Sequence, residues 1–407
     1  MRNLKASVTE LLKYSVPALA VAGLRRSPKS VSSASNRQPP RILVVKIDAM
    51  GDFILSTPFF RELRRNYRDS KITLVVGDNV SELALPCPYV DAVLPLRLRR
   101  QTPLTRHLKY VMNFADQHLS GQFDLAIQPR WDIDTDWATL TAFLSKAERI
   151  IGFTEKTSGM KSRANFGYNG LFTETLPPGP ERHESDRALD ILRYLGGSIS
   201  SRSPELWLLP EDQRQADNFL QEKKLLNVKQ SLIAFGIGAS SARRQWPFYA
   251  RLMRTLSGSF PFAPMLLAGP GEAELVRGIA AEIPNAVVVQ QLPLRVVSAI
   301  LSRCNLFIGN DSGPMHLASA VGLPVIEISC HPLDGDPGHA NSPGRFGPLV
   351  SPSVVIQPKT FSGDCRGGCK QYVPHCIATI SPEDVASAAI KLMRGTHERE
   401  LSQPALA

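Results

Sequence analysis

The chain has 407 residues, of which 43% are hydrophobic and 21% charged. That length suits two or three domains, each with its own core, and the composition excludes a wholly disordered chain, a collagen and a many-span membrane protein. The formal charge is +10, but the first forty residues hold seven Lys or Arg against Glu10 alone, so the body gives little reason to expect nucleic acid as a partner.

The run LLKYSVPALAVAGL (11–24) is apolar and flanked by Lys5, Arg25 and Arg26. A spanning helix needs about 20 apolar residues, and Lys13 and Pro17 interrupt this shorter run. A signal peptide, an anchor lying on an anionic leaflet and a disordered tail are all open readings. Residues 27–40 are rich in Ser and Pro and read as a linker.

Regular structure is predicted from Arg41. ILVVKI (42–47) is a short β-branched run that suits a buried parallel strand. A glycine turn at 48–52, a helix over 53–67 and a strand at 72–77 follow, which is the start of a doubly wound α/β sheet. Strands are expected at 92–96, 123–129 and 149–153, and helices at 137–147 and 185–197. Residues 203–213 read as a connection between domains.

A second α/β run begins at 231. Strands are predicted at 231–238, 263–268, 286–290, 306–311 and 324–329, and helices at 247–258, 273–283, 293–304, 312–322 and 382–395. The expected organisation is a tail and linker (1–40), a Rossmann-like domain (41–204), a second one (205–396) and a short tail (397–407). In such sheets ligands sit beyond the carboxyl ends of the strands, and two facing sheets would border one cleft.

Three turns at strand ends hold candidate chemistry. Gly51 allows a tight turn, and Asp52 follows at a helix start, where it either caps the helix or offers a carboxylate to a ligand. In GIGASSARRQW (236–246), Ser240 and Ser241 offer hydroxyls and N–H groups, and Arg244 offers a fork suited to phosphate. This is neither a P-loop nor a good dinucleotide fingerprint, since Ser241 stands where a third glycine belongs. In GNDSGPMH (309–316), the N–H groups of Ser312 and Gly313 would suit a pyrophosphate at the helix start, with His316 one turn in.

In this order, the segments at 41–65, 236–253, 266–274 and 306–326 resemble glycosyltransferase family 9, the heptosyltransferase family. The resemblance spans about residues 41–395. It implies the GT-B architecture, an α/β fold of two facing Rossmann-like domains with parallel sheets. The N-terminal half would take the acceptor and the C-terminal half a nucleotide-sugar donor. The implied reaction is an inverting transfer without a metal, typically of heptose from ADP-heptose to a lipopolysaccharide core or related surface glycan. No cofactor is implied, since the nucleotide-sugar is a substrate.

Residue by residue, the resemblance places the general base on Asp52 and the phosphate-binding cation on Arg244, where the family has Lys. It places the hydroxyl pair on Ser240 and Ser241, and the donor turn on Asp311, Ser312, Gly313 and His316. The acidic residue near the nucleoside falls on Glu272 or Glu274. Acceptor contacts are expected at Gly51, Arg97, Arg100, Asp132 and Asp134. The Asp132-Ile133-Asp134-Thr135-Asp136 run could also cap a helix or bind a divalent ion. The basic stretch from Arg97 to Lys109 reads as a charged loop suited to an anionic glycan or membrane surface.

Cys365, Cys369 and Cys376, with His375 adjacent, resemble a cysteine-containing segment found in many family members. Their spacing is not that of a standard zinc knuckle, and a metal clip and free thiols are both open. The expected location is cytoplasmic, with peripheral contact at the inner membrane. A Rossmann-type oxidoreductase or epimerase and a non-catalytic glycan-binding homologue are the competing readings.

Overall fold

A computed structural model describes residues 39–98, 103–349, 352–363, 365 and 371–402. The chain divides into two compact units between Arg202 and Ser203. In the first, β1 (Arg41–Lys46) leads through α1 (Met50–Ile54) and α2 (Thr57–Asn66) to β2 (Lys71–Gly77). The short α3 (Ser81–Ala84), β3 (Ala92–Leu96), α4 (Leu104–His118) and β4 (Leu125–Gln128) follow. Then come α5 (Ala138–Leu144), β5 (Arg149–Phe153), α6 (Gly159–Ala164), β6 (Glu174–Leu176) and α7 (Glu184–Tyr194).

The second unit opens with α8 (Pro210–Glu222), β7 (Ser231–Gly236), α9 (Tyr249–Ser257) and β8 (Phe262–Leu267). It continues with α10 (Ala273–Glu282), β9 (Val287–Val289), α11 (Leu294–Leu301) and β10 (Leu306–Asn310). The last elements are α12 (Gly313–Ala320), β11 (Val325–Ile328), α13 (Pro343–Phe346), β12 (Ser353–Ile356) and α14 (Pro382–Ser402).

Each unit holds one six-stranded sheet, ordered β3-β2-β1-β4-β5-β6 and β12-β11-β10-β7-β8-β9. All the pairings are parallel. Counted within its own unit, the second order repeats the first. Both are the Rossmann order, in which the winding direction reverses beside the first strand. That reversal falls between β1 and β4 in one unit and between β7 and β10 in the other. Helices cover both faces, so Ile42, Leu43, Val44 and Val45 of β1 are all fully buried, and the same holds for Leu306, Phe307 and Ile308 of β10. Among the described residues no helix is long and apolar enough to cross a membrane.

The structure departs from the predicted elements at three places. The helix expected over 53–67 is two helices. Pro58 lies in the first turn of α2 and lacks an N–H, and the Ser56 hydroxyl donates to the Asp52 carbonyl at 2.8 Å, so the helical ladder breaks at 55–56. The basic stretch expected as a loop runs instead into α4, which carries Arg106, His107 and Lys109 and buries Val111, Phe114 and Ala115 on one face. The connection expected over 203–213 ends early, because Pro210 starts α8 and the Asp212 carboxylate accepts from Leu209 N at 2.7 Å. The other predicted helices and strands agree with the structure to within a few residues, except that α14 runs on to Ser402, and β6, β12 and the short helices α3, α6 and α13 were not predicted.

Glu62 fastens the first unit. It lies fully buried on α2 and accepts from Ser200 N at 3.0 Å, Ser200 Oγ at 2.8 Å, Ser201 N at 3.2 Å and Arg65 Nε at 2.8 Å. Burial alone would push this carboxyl up, but the Ser200 and Arg65 hydrogen bonds outweigh it and hold the pKa down to about 2. A depressed carboxylate stabilises fully above its ordinary value of 4.5 and loses that contribution as pH falls toward about 2. Glu62→Gln is therefore expected to cost about 1–2 kcal/mol in urea unfolding at pH 7. The gap from wild type should narrow as pH drops from 4.5 toward 2. A gap constant across that range would contradict the assignment.

Candidate functional site

Strand order directs attention to the carboxyl ends of β1 and β4. β1 ends at Lys46, whose Nζ lies 2.7 Å from Asp48 Oδ2, both side chains being buried. Beyond β4, Arg130 pairs with the same Asp48 and reaches Asp52 Oδ2 at 3.9 Å. Asp52 is the third residue of α1, whose N-cap position is held by Ala49, so Asp52 is not the cap. Its side chain is about a quarter exposed, at 24%. It lines a pocket with Lys46, Ser56, Arg130, Asp132 and Glu184. Gly51 sits beside it, half-buried.

Burial pulls the Lys46 ammonium down to about 8, and Arg130 adds to this, while Asp52 and Glu184 oppose it. The backbone of the pocket is held from behind. Buried Lys161 donates from Nζ to the carbonyls of Arg130 at 3.2 Å and Trp131 at 2.9 Å. Its pKa falls to about 7, chiefly through burial. The Arg187 guanidinium stacks 3.4 Å from the centroid of the Trp131 ring, and the indole donates to Pro178 O at 2.7 Å. A carboxylate open to such a pocket can take the proton of a hydroxyl placed within hydrogen-bond reach.

The Asp132–Asp136 run resolves into separate tasks. Asp132 lines the pocket and accepts from Ile133 N at 2.8 Å. Asp134, expected as an acceptor contact, is 2% exposed and accepts from Ala138 N at 3.0 Å and Thr139 N at 2.7 Å. It caps α5, and its oxygens are occupied by backbone donors rather than offered to a ligand. Arg97 is exposed, and its backbone N–H donates to the Tyr110 hydroxyl at 3.1 Å. Arg100 lies outside the described residues, as does Cys369.

In the second unit the reversal point is organised by Asn310, the fully buried last residue of β10. Its Nδ2 donates to the carbonyls of Gly236 at 3.4 Å, Ile237 at 3.0 Å and Gly238 at 3.2 Å, and its Oδ1 accepts from Trp246 N at 3.0 Å. The loop after β7 is thereby held at both ends. Glu272 Oε2 accepts from Gly269 N at 2.7 Å, and its carboxylate sits where a Cβ on Gly238 would go, so Gly238 is needed for that approach. Glu274, the other candidate for the acidic position, is exposed and pairs with Arg277.

Arg244 lies 2.8 Å from Asp311 Oδ2 and also donates to the Asp311 carbonyl. Burial pushes the Asp311 carboxyl up, and Arg244 pulls it back. Behind it, buried Glu327 is pushed well above its ordinary value by burial and by the charge of Asp311, which favours its protonated form. Ser312 is the N-cap of α12, Gly313 opens the helix, and His316 is buried on its first turn. Arg244 Nε and Ser312 Oγ are buried with no hydrogen-bond partner among the described residues. Ser240 is exposed, and Ser241 precedes the short turn that carries Arg244. A fixed guanidinium and a helix N-terminus with unmatched buried polar atoms suit an anion.

The structure thus brings Asp52 and Asp132 into one pocket, and Arg244, Asp311, Ser312 and Gly313 to one helix start. Sequence reasoning missed Lys46, Asp48, Arg130, Glu184 and Lys161 in the first unit and Asn310 and Glu327 in the second. The available signal was a polar residue ending an apolar strand, as Lys46 ends RILVVK and Asn310 ends LFIGN.

Residues 117–329, more than half of the chain, match the family described as glycosyltransferase family 9 (heptosyltransferase). Lipopolysaccharide heptosyltransferase 1 of Pseudomonas aeruginosa is 22% identical over 361 residues, covering 85% of this chain and 96% of its own. The crystal structure of a family 9 glycosyltransferase from Veillonella parvula matches with a TM-score of 0.70 and 21% identity, over 89% of this chain and 100% of that one. The E. coli ADP-heptose lipopolysaccharide heptosyltransferase II matches with a TM-score of 0.64 and 17% identity, over 88% and 99%. These likenesses fix the fold class as GT-B, and the family match replaces the oxidoreductase and non-catalytic readings. The chain belongs to glycosyltransferase family 9 and is a glycosyltransferase of the heptosyltransferase type.

Proposed function

We propose that the protein moves heptose from ADP-heptose to a lipopolysaccharide core or related surface glycan, with inversion at the anomeric carbon. The observation that carries this reading is the site at the start of α12. Arg244, the Ser312 and Gly313 N–H groups and two buried, unmatched polar atoms converge there, a constellation suited to the diphosphate of a nucleotide-sugar. Glu272, beside the β7 loop, is the proposed nucleoside contact, with Ser240, Ser241 and His316 completing the donor set. The acceptor is taken by the first unit, at the pocket of Asp52, Gly51 and Asp132, with Arg97 and Arg100 as outer contacts for anionic groups.

In the proposed step the acceptor hydroxyl oxygen attacks the anomeric carbon and the sugar–phosphate bond breaks on the opposite face. The hydroxyl proton passes to Asp52, and the bond's electron pair leaves with the nucleoside diphosphate. Arg244 and the N-terminus of α12 take up the charge that develops on the leaving group, so the transfer needs no metal ion. Contact with an anionic membrane rests on the charge of residues 1–38, which lie outside the described residues.

The reading is tested by incubating the protein with ADP-heptose and a heptose-deficient core acceptor and following nucleotide release. A different nucleotide-sugar as the sole effective donor would refute the donor assignment. Asp52→Asn is expected to lower kcat by about 10²–10⁴-fold while leaving ADP affinity within about twofold. Unchanged kcat would remove Asp52 as the base. Arg244→Ala is expected to weaken ADP binding by about 10–100-fold in calorimetric titration, and Arg244→Lys by less. Equal affinities in all three proteins would contradict the diphosphate site.

A further inference from the structure

In the second unit, three soft donors converge before α14. Cys365 Sγ lies 2.7 Å from His375 Nε2, and the ligand atoms of Cys365, His375 and Cys376 all fall within 4.8 Å of one another. Both cysteines are buried. The chain around them is not fixed by apolar burial, since Tyr372 is 90% exposed and Val373 60%. Among the described residues from 371 on, regular structure before α14 begins at Pro382 is a short 3-10 turn over Ile377–Thr379. Just after the cluster, however, Ile377 and Ile380 enter the second unit's core, and the Ile380 carbonyl accepts from the Trp246 indole at 3.0 Å. The two buried sulfurs and the imidazole therefore sit where an exposed stretch meets this core.

We propose that Cys365, His375 and Cys376 bind one divalent transition-metal ion, zinc by their chemistry, as a structural clip on the second unit. Two thiolates and an imidazole form a soft set that favours zinc over calcium or magnesium. With Zn–S near 2.3 Å and Zn–N near 2.0 Å, tetrahedral geometry sets adjacent ligand atoms about 3.5 Å apart. The ligand atoms here, 2.7 Å apart at Cys365 and His375 and all within 4.8 Å of one another, lie close to that spacing. On binding, the two thiols each release a proton to solvent and the imidazole binds neutral through the lone pair of Nε2. The ion changes no oxidation state and takes no part in transfer, so this site stands independently of the donor and acceptor assignments.

The test uses the full chain, purified without an affinity tag or chelator. Elemental analysis is expected to find about one zinc per chain. The Cys365→Ser/Cys376→Ser double variant should lose it, while Cys304→Ser, which alters a cysteine elsewhere in the unit, should keep it. Because the double variant could misfold, thiol labelling of the wild-type chain provides a second readout. Cys365 and Cys376 should resist alkylation until a strong chelator is added, and Cys87 should label at the same rate with and without it. Iron at the same stoichiometry, lost in the same double variant, would support the site with a different ion. Metal-free protein with chelator-independent labelling, or a Cys365–Cys376 disulfide found by mass spectrometry, would overturn the proposal.

Discussion

Beyond the last residue of a parallel strand the sheet's hydrogen bonds run out, and the next backbone carbonyls need other donors or they are stranded in a buried place. Both units answer this with a buried side chain. Asn310 donates to three successive carbonyls from the last residue of β7 onward, and Lys161 donates to two past β4. Each bond is worth only about 1 kcal/mol net, but an orphaned buried carbonyl costs about 1–3 kcal/mol, so the larger effect is the loss avoided. The loops so held are the ones that carry Arg130 and lead to Arg244. Site geometry in this protein therefore depends on donors that never need to touch a ligand.

The two reversal points share a topology and differ in charge. Around Asp52 the pocket mixes Lys46 and Arg130 with Asp132 and Glu184, and cations and carboxylates nearly balance. Such a lining suits polar hydroxyl-bearing groups, and Asp52 within it is the carboxylate proposed to take the proton. At α12 the more accessible chemistry is a half-buried guanidinium and a helix start, while the carboxyls of Asp311 and Glu327 are buried. That arrangement favours an anion in front. Arg244 also differs from a lysine in what it can do at once. Its planar fork bonds both the side chain and the carbonyl of Asp311, which a single ammonium reaches less readily while still facing a phosphate.

Much of this was legible in the sequence, for physical reasons that can be named. Strands buried on both faces must be continuous apolar runs, so RILVVK, SLIAFG and LFIGN declared themselves. The glycine turns after them exposed Asp52, Arg244 and Asp311 as candidates. α4 was hidden because Arg106, His107 and Lys109 drew attention to charge, although Val111 and Ala115 are spaced for a helix face. α8 was hidden because it buries little beyond Ala216 and Leu220. Lys46, Asp48, Arg130 and Glu184 meet only because β1 pairs with β4 and α7 returns to the same end, facts of topology rather than of local pattern. For Asp134 both acceptor contact and helix capping were open, because a sequence does not show which of three neighbouring carboxylates will meet the N–H groups of a helix start.

The ion pairs at the two reversal points, Lys46 with Asp48 and Arg244 with Asp311, are poor candidates for the source of stability. Removing such charges from water costs several kcal/mol per ion, and the attraction gained inside roughly offsets it. Deleting one partner is a different matter, since it strands the other charge in a low-dielectric place and costs about 3–5 kcal/mol. Stability instead comes from the apolar layers, such as the cluster of Phe235, Trp246, Tyr249 and Leu266 in the second unit. It follows that Lys46, Asp48, Arg130 and Asp52 are coupled to one another while the core beneath them is not coupled to the chemistry. Neutralising Lys46 or Asp48 strands a buried partner, whereas Asp52 is partly exposed and can lose its charge without that penalty, and the apolar layers can vary in sequence and still present the same strand ends.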